Sequence, residues 1–322
     1  METPAHLMIP APLREAFLSV GIRDQMDDLR RAVARALAAA AWPCGQVSDD
    51  NSAIVGRDGW LFLNGGHNHW SEQAAGQFTL TPHGCELWTS LLQRRRDRMQ
   101  RRGIRYAHLF APEKVCVYPE LHPAATPPSP QRPVMQIMSQ QGAEHSAVHY
   151  PAQALRAGKT LAPTYYRGNS HWTWFGAWLA CQELWLQLGI PVREDIPAMR
   201  QYPVQHDLAA KFVGMADENY HQLDMDAYLT FINEAQVPGH VGRFKHLHNP
   251  SAPQACRVLI FGDSCAYDHN LAAWFALHCR DVFCAWQVGL QGDLIDKLGP
   301  DVVVTEMAER FATRLPADVF TS

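Results

Sequence analysis

The chain has 322 residues, of which 47% are hydrophobic and 19% charged, and its formal net charge is −4. This composition excludes a disordered or fibrous chain, and the acidic balance excludes the basic surface by which proteins bind nucleic acid. The length predicts one large α/β domain with insertions, or two small domains.

The first 50 residues are predicted to form a helical extension, with one helix from about Asp24 to Trp42. Its apolar stretch is too short to cross a bilayer. The N-terminus has neither the basic region nor the long apolar core of a secretory signal. The sequence therefore indicates a cytoplasmic protein, or a periplasmic one if the start site is misplaced.

Strand and helix patterns follow from residue 51 onward. Thr81-Pro82 opens a helix that Gly103 ends, and a proline-rich surface loop covers 122–133. Lys114 falls in a loop at the carboxyl end of a predicted strand, where open α/β sheets bind ligands. Residues 55–63 are predicted to form a tight turn that leads into a short apolar strand; further strands are predicted at 104–110 and 146–149, and further helices at 134–141 and 177–188.

Residues 191–250 carry a weaker pattern, which we interpret as an insertion of polar helical fragments that shapes the substrate entrance. The remainder alternates between strand and helix. Strands are predicted at 257–261, 281–285 and 302–305, and helices at 271–278 and 290–298. This alternation predicts a three-layer α/β/α sandwich with a mostly parallel central sheet, formed by a single domain over residues 51–322.

No metal and no cofactor are expected. The eight cysteines include no CxxC pair and are interpreted as mostly buried thiols. The histidine pairs at 67/69 and 246/248 invite a zinc interpretation, but no cysteine or acidic residue stands at ligand spacing beside them.

Ser264 follows an apolar strand on the turn Gly262-Asp263-Ser264 that starts a helix. At such a turn, backbone N–H groups and the helix dipole stabilise an oxyanion. A serine nucleophile also needs a base, and the base needs an orienting group, roles that His171 and Asn169 fit. The alternative is an ordinary strand-to-helix turn. We expect Ser264 and His171 within hydrogen-bonding distance at the carboxyl edge of the sheet.

Five segments in the same order resemble the SGNH-like domain of the alginate O-acetyltransferase family, over about residues 51 to 312. The histidine precedes the serine in this order, whereas in ordinary SGNH hydrolases it follows. The segments are Gly56 to Phe62, Lys114 to Glu120, Tyr165 to Ala177, Gly262 to Ser264 and Pro300 to Arg310.

The resemblance implies that an acetyl group passes from a donor through Ser264 to a sugar hydroxyl, with His171 as general base. Asn169 stands where the family has aspartate. Asparagine fixes the imidazole tautomer but carries no charge, so the site is slow, inactive or compensated by another carboxylate. The carboxylates considered for that compensation, each near a strand end, are Asp263, Glu306 and Glu309.

Further residues are candidates for binding the oxyanion or the substrate. Trp172 either stacks on a sugar or belongs to the core, and Arg167 and Arg310 either hold an anionic substrate or pair with Glu306 or Glu309. The full set of these candidates is Asp263, Lys114, Arg167, Trp172, Tyr267, Glu309 and Arg310.

Three functions remain open on the sequence. The first is an O-acyltransferase that uses acetyl-CoA, an acyl carrier or a membrane-bound donor, and whose acceptor is a saccharide or a hydroxyl-bearing small molecule. The absent export signal favours a metabolite over a polymer. The second is an esterase with the same residues, and the third is a catalytically silent binding module with the same fold.

Overall fold

The computed structural model describes residues 42–66, 68–141, 147–192, 199–203, 206–212, 215, 219–224, 230–235 and 240–320. The predicted N-terminal helix lies outside the described residues, apart from Trp42 at its end.

Eleven strands are present in the described part of the chain. They are β1 Ala53–Val55, β2 Leu61–Leu63, β3 Arg105–Ala111, β4 Val148–His149, β5 Met199–Pro203, β6 Asn219–Leu223, β7 Thr230–Ala235, β8 Phe244–His248, β9 Gln254–Gly262, β10 Cys279–Trp286 and β11 Val302–Ala308. Seven of them form the central sheet in the order β4-β3-β11-β9-β10-β8-β7. The neighbouring strands β4, β3, β11, β9 and β10 run parallel to one another. Strand β8 is antiparallel to β10, and β7 is antiparallel to β8. The predicted mostly parallel α/β sheet is confirmed.

The helices of the described residues are α1 Trp70–Ala74, α2 Pro82–Arg101, α3 Lys114–Val117, α4 Pro133–Ser139, α5 Ala152–Gly158, α6 Trp174–Gln187, α7 Ser264–Tyr267, α8 Leu271–His278 and α9 Gly292–Leu298. Helix α2 begins where predicted, because the Thr81 hydroxyl accepts the Gly84 N–H at 3.1 Å and Pro82 occupies the first turn. Gly103, with φ +68°, follows its end. None of the helices described combines the length and the apolar character needed to span a bilayer.

The central strands are buried on both faces, which explains their continuous apolar sequences. In β9, Val258 and Ile260 pack with helices α6 and α8, while Leu259 and Phe261 pack against the opposite layer. That opposite layer includes α9 and the end of α2. Strands β9 and β11 are parallel neighbours, so their carboxyl ends lie at the same edge of the sheet.

The prediction of helical fragments between 191 and 250 holds only for a short 3₁₀ helix at Ala209–Lys211 among the described residues. The other elements described there are strands: β5 and β6 pair as a separate hairpin, and β7 and β8 extend the central sheet. Strands β7 and β8 lie at the antiparallel margin of that sheet, and their sequences lack the continuous apolar run of a strand buried on both faces. The limits of the extension at 1–50 and of the insertion at 191–250 stay predictions.

Candidate active site

Ser264 is the first residue of α7, directly after β9. Asp263 fixes this turn, since one carboxylate oxygen accepts the Cys265 N–H at 2.9 Å and the other accepts the Ala308 N–H at 2.7 Å. Both oxygens are thus bound to the backbone, so Asp263 holds the turn that carries Ser264. Gly262 is required here, because a Cβ would lie 2.5 Å from the Cβ of Ala266.

Three side chains form a hydrogen-bonded series at the carboxyl edge of the sheet. The Ser264 Oγ lies 2.7 Å from Nε2 of His171, and Nδ1 of His171 lies 2.7 Å from the amide oxygen of Asn169. An amide oxygen only accepts, so Nδ1 carries the proton and Nε2 offers its lone pair to the Ser264 hydroxyl. The predicted contact between Ser264 and His171 is present.

Asp207, a carboxylate to which the sequence analysis assigned no role, contacts Ser170 and lies near His171. Asp207 accepts the Ser170 N–H at 2.7 Å and the Ser170 hydroxyl at 2.5 Å. The same hydroxyl oxygen is 3.2 Å from Nδ1 of His171, and an Asp207 oxygen is 3.9 Å from that nitrogen. A backbone hydrogen bond from Ala209 N–H to the Gly168 carbonyl at 2.9 Å holds the two loops together.

None of the three carboxylates considered from the sequence contacts His171 in the described part of the chain. Asp263 is bound to the backbone, and Glu306 is fully buried beside it, where burial and then Asp263 raise its pKa well above the usual range. Glu309 is also fully buried and accepts hydrogen bonds from Arg132 at 2.9 Å and from Tyr150 at 3.0 Å. Asp207 is the carboxylate that the described contacts place beside His171.

The sequence also gave no indication of His269. Its ring stacks on that of His171, with centroids 3.6 Å apart and an angle of 11° between planes. Its carbonyl accepts the Trp172 indole N–H at 2.7 Å. Burial lowers the pKa of His269 well below the usual range, so the stacked ring is neutral and holds the imidazole of His171 without adding charge.

Burial lowers the pKa of His171 to about 3, and the nearby cations Arg310 and Lys114 lower it further in the same direction. His171 is therefore neutral over the ordinary pH range, as a general base must be. An imidazolium at this position would have one carboxylate near it among the described contacts, Asp207, with an oxygen 3.9 Å from Nδ1.

Three substrate candidates lie in the interior, so their predicted contact with substrate is corrected. Trp172 is 0% exposed and cannot stack on a sugar. The Lys114 ammonium donates to the carbonyls of Leu61 at 2.6 Å and Arg167 at 3.0 Å, which ties two loops together. Tyr267 is buried and packs against Trp286.

The sequence left two roles open for the arginine candidates, and binding of an anionic substrate stays a prediction for both. Arg310 donates to Glu113 at 2.5 Å, and not to Glu306 or Glu309. Arg167 is half-buried and donates to the carbonyl of Asp58 at 3.4 Å. Both lie beside the site, and the charge of Arg310 acts on His171 through space.

The ion pair of Arg132 with Glu309 is buried, with exposed fractions of 6% and 0% for the two side chains. We expect Arg132→Met to lower the free energy of unfolding by about 3–5 kcal/mol, because Glu309 is left as an uncompensated buried charge. The control Arg96→Met removes a partly exposed pair with Asp97 and should cost less than about 1 kcal/mol. Urea unfolding measures both, and equal losses would contradict a structural role for Glu309.

A cleft of about 260 Å³ lies on the side of Ser170 that faces Leu63, Trp70 and Val115. These three residues also line a gap that reaches Ser170, the neighbour of His171, and that is too narrow to hold a water molecule. The proline-rich loop forms one side of the cleft. The lining combines hydroxyl, amide, imidazole and apolar groups: Leu63, Asn64, Trp70, Ser71, Ala74, Ala75, Val115, His122, Ala124, Thr126, Pro127 and Pro128.

Solved structures share this fold. The O-acetyltransferase domain of Pseudomonas putida AlgJ superposes with a TM-score of 0.53 at 20% identity, over 83% of this chain and 94% of that one. Bacillus cereus PatB1 gives a TM-score of 0.58 at 12% identity, over 80% and 95%. A DHHW family protein from Eubacterium siraeum gives 0.52 at 13%, over 84% and 96%.

No curated protein matches the chain in sequence at a significant level. The family model described as "SGNH hydrolase-like domain, acetyltransferase AlgX" matches residues 53–222, which is more than half of the chain. The match covers the segment with Asn169 and His171 and also Asp207. The chain belongs to this family of SGNH hydrolase-like acetyltransferase domains.

Proposed function

We propose that the chain is an O-acetyltransferase that carries an acetyl group on Ser264 and passes it to the hydroxyl of a saccharide or a small metabolite. The observation that carries this proposal is the hydrogen-bonded series from Ser264 through His171 to Asn169. Membership of an acetyltransferase family supports O-acetyl transfer as the general reaction.

In the first half-reaction, the Ser264 oxygen attacks the acetyl carbonyl of the donor, and Nε2 of His171 takes the hydroxyl proton. The oxyanion of the tetrahedral intermediate faces the backbone N–H of Ser264, which donates to no other group among the described hydrogen bonds. When the intermediate collapses, the leaving group of the donor takes the proton back from Nε2, and an acetyl ester of Ser264 remains.

The second half-reaction reverses these steps with an acceptor hydroxyl as the nucleophile. Nε2 of His171 takes the proton of the acceptor, the acceptor oxygen attacks the acetyl ester, and Ser264 leaves and recovers the proton. Both half-reactions pass through an imidazolium. Asn169 fixes its orientation, and Asp207, linked through Ser170, supplies the negative charge.

The cleft is the proposed acceptor site. It shares Leu63, Trp70 and Val115 with the narrow gap that reaches Ser170, and its polar lining of Asn64, Ser71, His122 and Thr126 suits an acceptor rich in hydroxyl groups. An acceptor bound there also displaces water, which favours transfer over hydrolysis of the acetyl ester.

The test uses p-nitrophenyl acetate as donor and a panel of oligosaccharides and monosaccharides as acceptors. Ala124→Trp fills the cleft from an exposed loop position, so acetylation of Ser264 should persist while acceptor-dependent turnover falls. The matched control Ala157→Trp lies on an exposed position of α5 outside the cleft and should leave both rates unchanged.

Turnover that rises with acceptor concentration and yields acetylated sugar in the wild type supports transfer. A turnover rate that does not change with the concentration of any acceptor identifies the esterase instead. If neither product nor acetylated protein forms, the fold serves as a binding module, and the proposed function is wrong.

The pH dependence of acetylation tests the state of His171. The base acts in its neutral form, which exists above its pKa, and that pKa is lowered to about 3. The burst rate with p-nitrophenyl acetate should therefore stay level as the pH falls from about 8 to about 5, whereas an ordinary histidine loses half its activity near pH 6.5. A half-maximal rate near that value in stopped-flow measurements would contradict the account.

A further inference from the structure

The fold assembles a group of metal-binding side chains far from the serine. His246 and His248 are two residues apart on β8, so their side chains lie on the same face of the sheet. Asp281 on the neighbouring strand β10 stands directly opposite His248. The sequence shows the two histidines but not their acidic partner, because that partner is brought beside them only by antiparallel pairing of β8 with β10.

The ligand atoms already converge on one point. Nε2 of His246 and Nδ1 of His248 each lie 2.9 Å from the same Asp281 oxygen. In a tetrahedral site with bonds of about 2.0 Å, ligand atoms are about 3.3 Å apart. The three ligand atoms here lie within 4.8 Å of one another, so rotations of the side chains bring them to that spacing. The other Asp281 oxygen accepts from Arg280 at 3.2 Å, which orients the carboxylate as an outer hydrogen bond does in metal sites.

The site is both sheltered and reachable. The three side chains are 15 to 30% exposed, and His246 also lines a cleft of about 540 Å³ between β8, β10 and α9. Phe283 stacks on the His246 ring with centroids 4.1 Å apart and fixes its orientation. An ion there has two imidazoles and one carboxylate as ligands and a fourth position accessible to water.

The alternative cluster in the described residues, Asp263 with Cys265 and Glu306, does not offer comparable ligands. It is fully buried, and both oxygens of Asp263 accept backbone N–H groups. The histidine site is also separate from the catalytic one. Asp281 pairs with Arg257, while Trp286 pairs with Gly262, five residues or roughly 17 Å along the strand.

We propose that His246, His248 and Asp281 bind one Zn²⁺ ion with an open fourth position. Two imidazole nitrogens and a carboxylate oxygen form a ligand set that suits zinc, and three protein ligands with one free position are a common zinc arrangement. Each histidine then carries its proton on the ring nitrogen that faces away from the ion. The ion joins β8, and through it the outermost strand β7, to β10 and thereby stabilises the antiparallel margin of the sheet.

The test is a titration of the full chain, freed of any affinity tag and stripped with a chelator, with Zn²⁺ by calorimetry and with Co²⁺ by visible absorption. We expect one ion per chain and the absorption of four-coordinate Co²⁺. His246→Gln and His248→Gln should each weaken binding by about 100-fold or more, beyond the roughly 10- to 100-fold effect of losing an outer hydrogen bond.

Two controls address other ligands. His83→Gln changes an exposed histidine that pairs with Glu86 on the surface of α2, and Cys44→Ser removes an exposed thiol; both should bind zinc as the wild type does. If a histidine variant fails to fold by circular dichroism, Asp281→Asn preserves the side-chain shape and should still weaken binding. A wild type that binds no ion, or a folded ligand variant that binds as tightly as the wild type, would overturn the site.

Discussion

Replacing Ser264 or His171 with alanine is expected to lower the rate of acetyl transfer by at least about 10³-fold, and the double variant should be no slower than either single one. The two side chains share one proton across 2.7 Å, so each is ineffective without the other. Steady-state and burst kinetics with p-nitrophenyl acetate measure the effect.

Controls for this experiment are the exposed residues of the same types. Ser139→Ala on α4 and His83→Gln on α2 should both keep wild-type rates. Additive losses in the double variant, or a Ser264→Ala protein that still shows a burst, would mean that the two residues do not act as one catalytic unit.

Asp207→Asn is expected to slow acetylation of Ser264 by about 10- to 100-fold without changing the affinity for the donor. A carboxylate 3.9 Å from Nδ1 of His171 stabilises the imidazolium. That attraction is about 1 kcal/mol in water and about 4 kcal/mol near a protein surface. The loss should be smaller than the roughly 10⁴-fold cost of removing a directly bonded aspartate, because Asp207 acts through Ser170 and is partly exposed.

Asn169→Asp provides the rescue. It places a negatively charged carboxylate in direct hydrogen-bonding contact with Nδ1 of His171, at the position where the family pattern has aspartate. In the Asp207→Asn background it should restore the rate to at least the wild-type level. Asp49→Asn, which removes an exposed carboxylate elsewhere, should change nothing. Full activity in Asp207→Asn would show that the charge of Asp207 does not assist His171.

The sequence predicted the parts of the fold that are buried on both sides. Helix α8 occupies 271–278 as predicted, and β9, β10 and β11 contain the strands predicted at 257–261, 281–285 and 302–305. Continuous apolar runs between turn residues identify such elements. The meeting of Ser264 with His171 also follows from the sequence, because both were assigned to turns and loops that precede helices of the same sandwich.

Strand β8 shows why the margin of the sheet was not predicted. Its sequence Phe-Lys-His-Leu-His has five residues and mixes polar and apolar residues on both faces, because Leu247 shares a face with Lys245 and the two histidines share the other with Phe244. Such a sequence lacks the alternation of a half-buried strand, and its polar composition suggested helical fragments instead. The pairing of His248 with Asp281 depends on this strand, and the metal cluster was missed with it.

Loop contacts within the site lie beyond sequence patterns. Asp207 is 37 residues from Ser170, and only tertiary packing brings them together. For Trp172 the sequence left two roles open, and the structure places it in the core. His171 faces Ser264, whereas the neighbouring Trp172 is buried with its indole N–H donating to the carbonyl of His269.

The central claim is that Ser264 becomes acetylated, and intact-mass analysis after rapid mixing with p-nitrophenyl acetate tests it most directly. The account predicts a single adduct of about 42 Da, the mass of one acetyl group, and digestion of the protein should place it on the peptide that contains Ser264. It should be absent from Ser264→Ala and should disappear faster when an acceptor is added. An adduct on another residue, or acceptor acetylation by Ser264→Ala at the wild-type rate, would contradict the account.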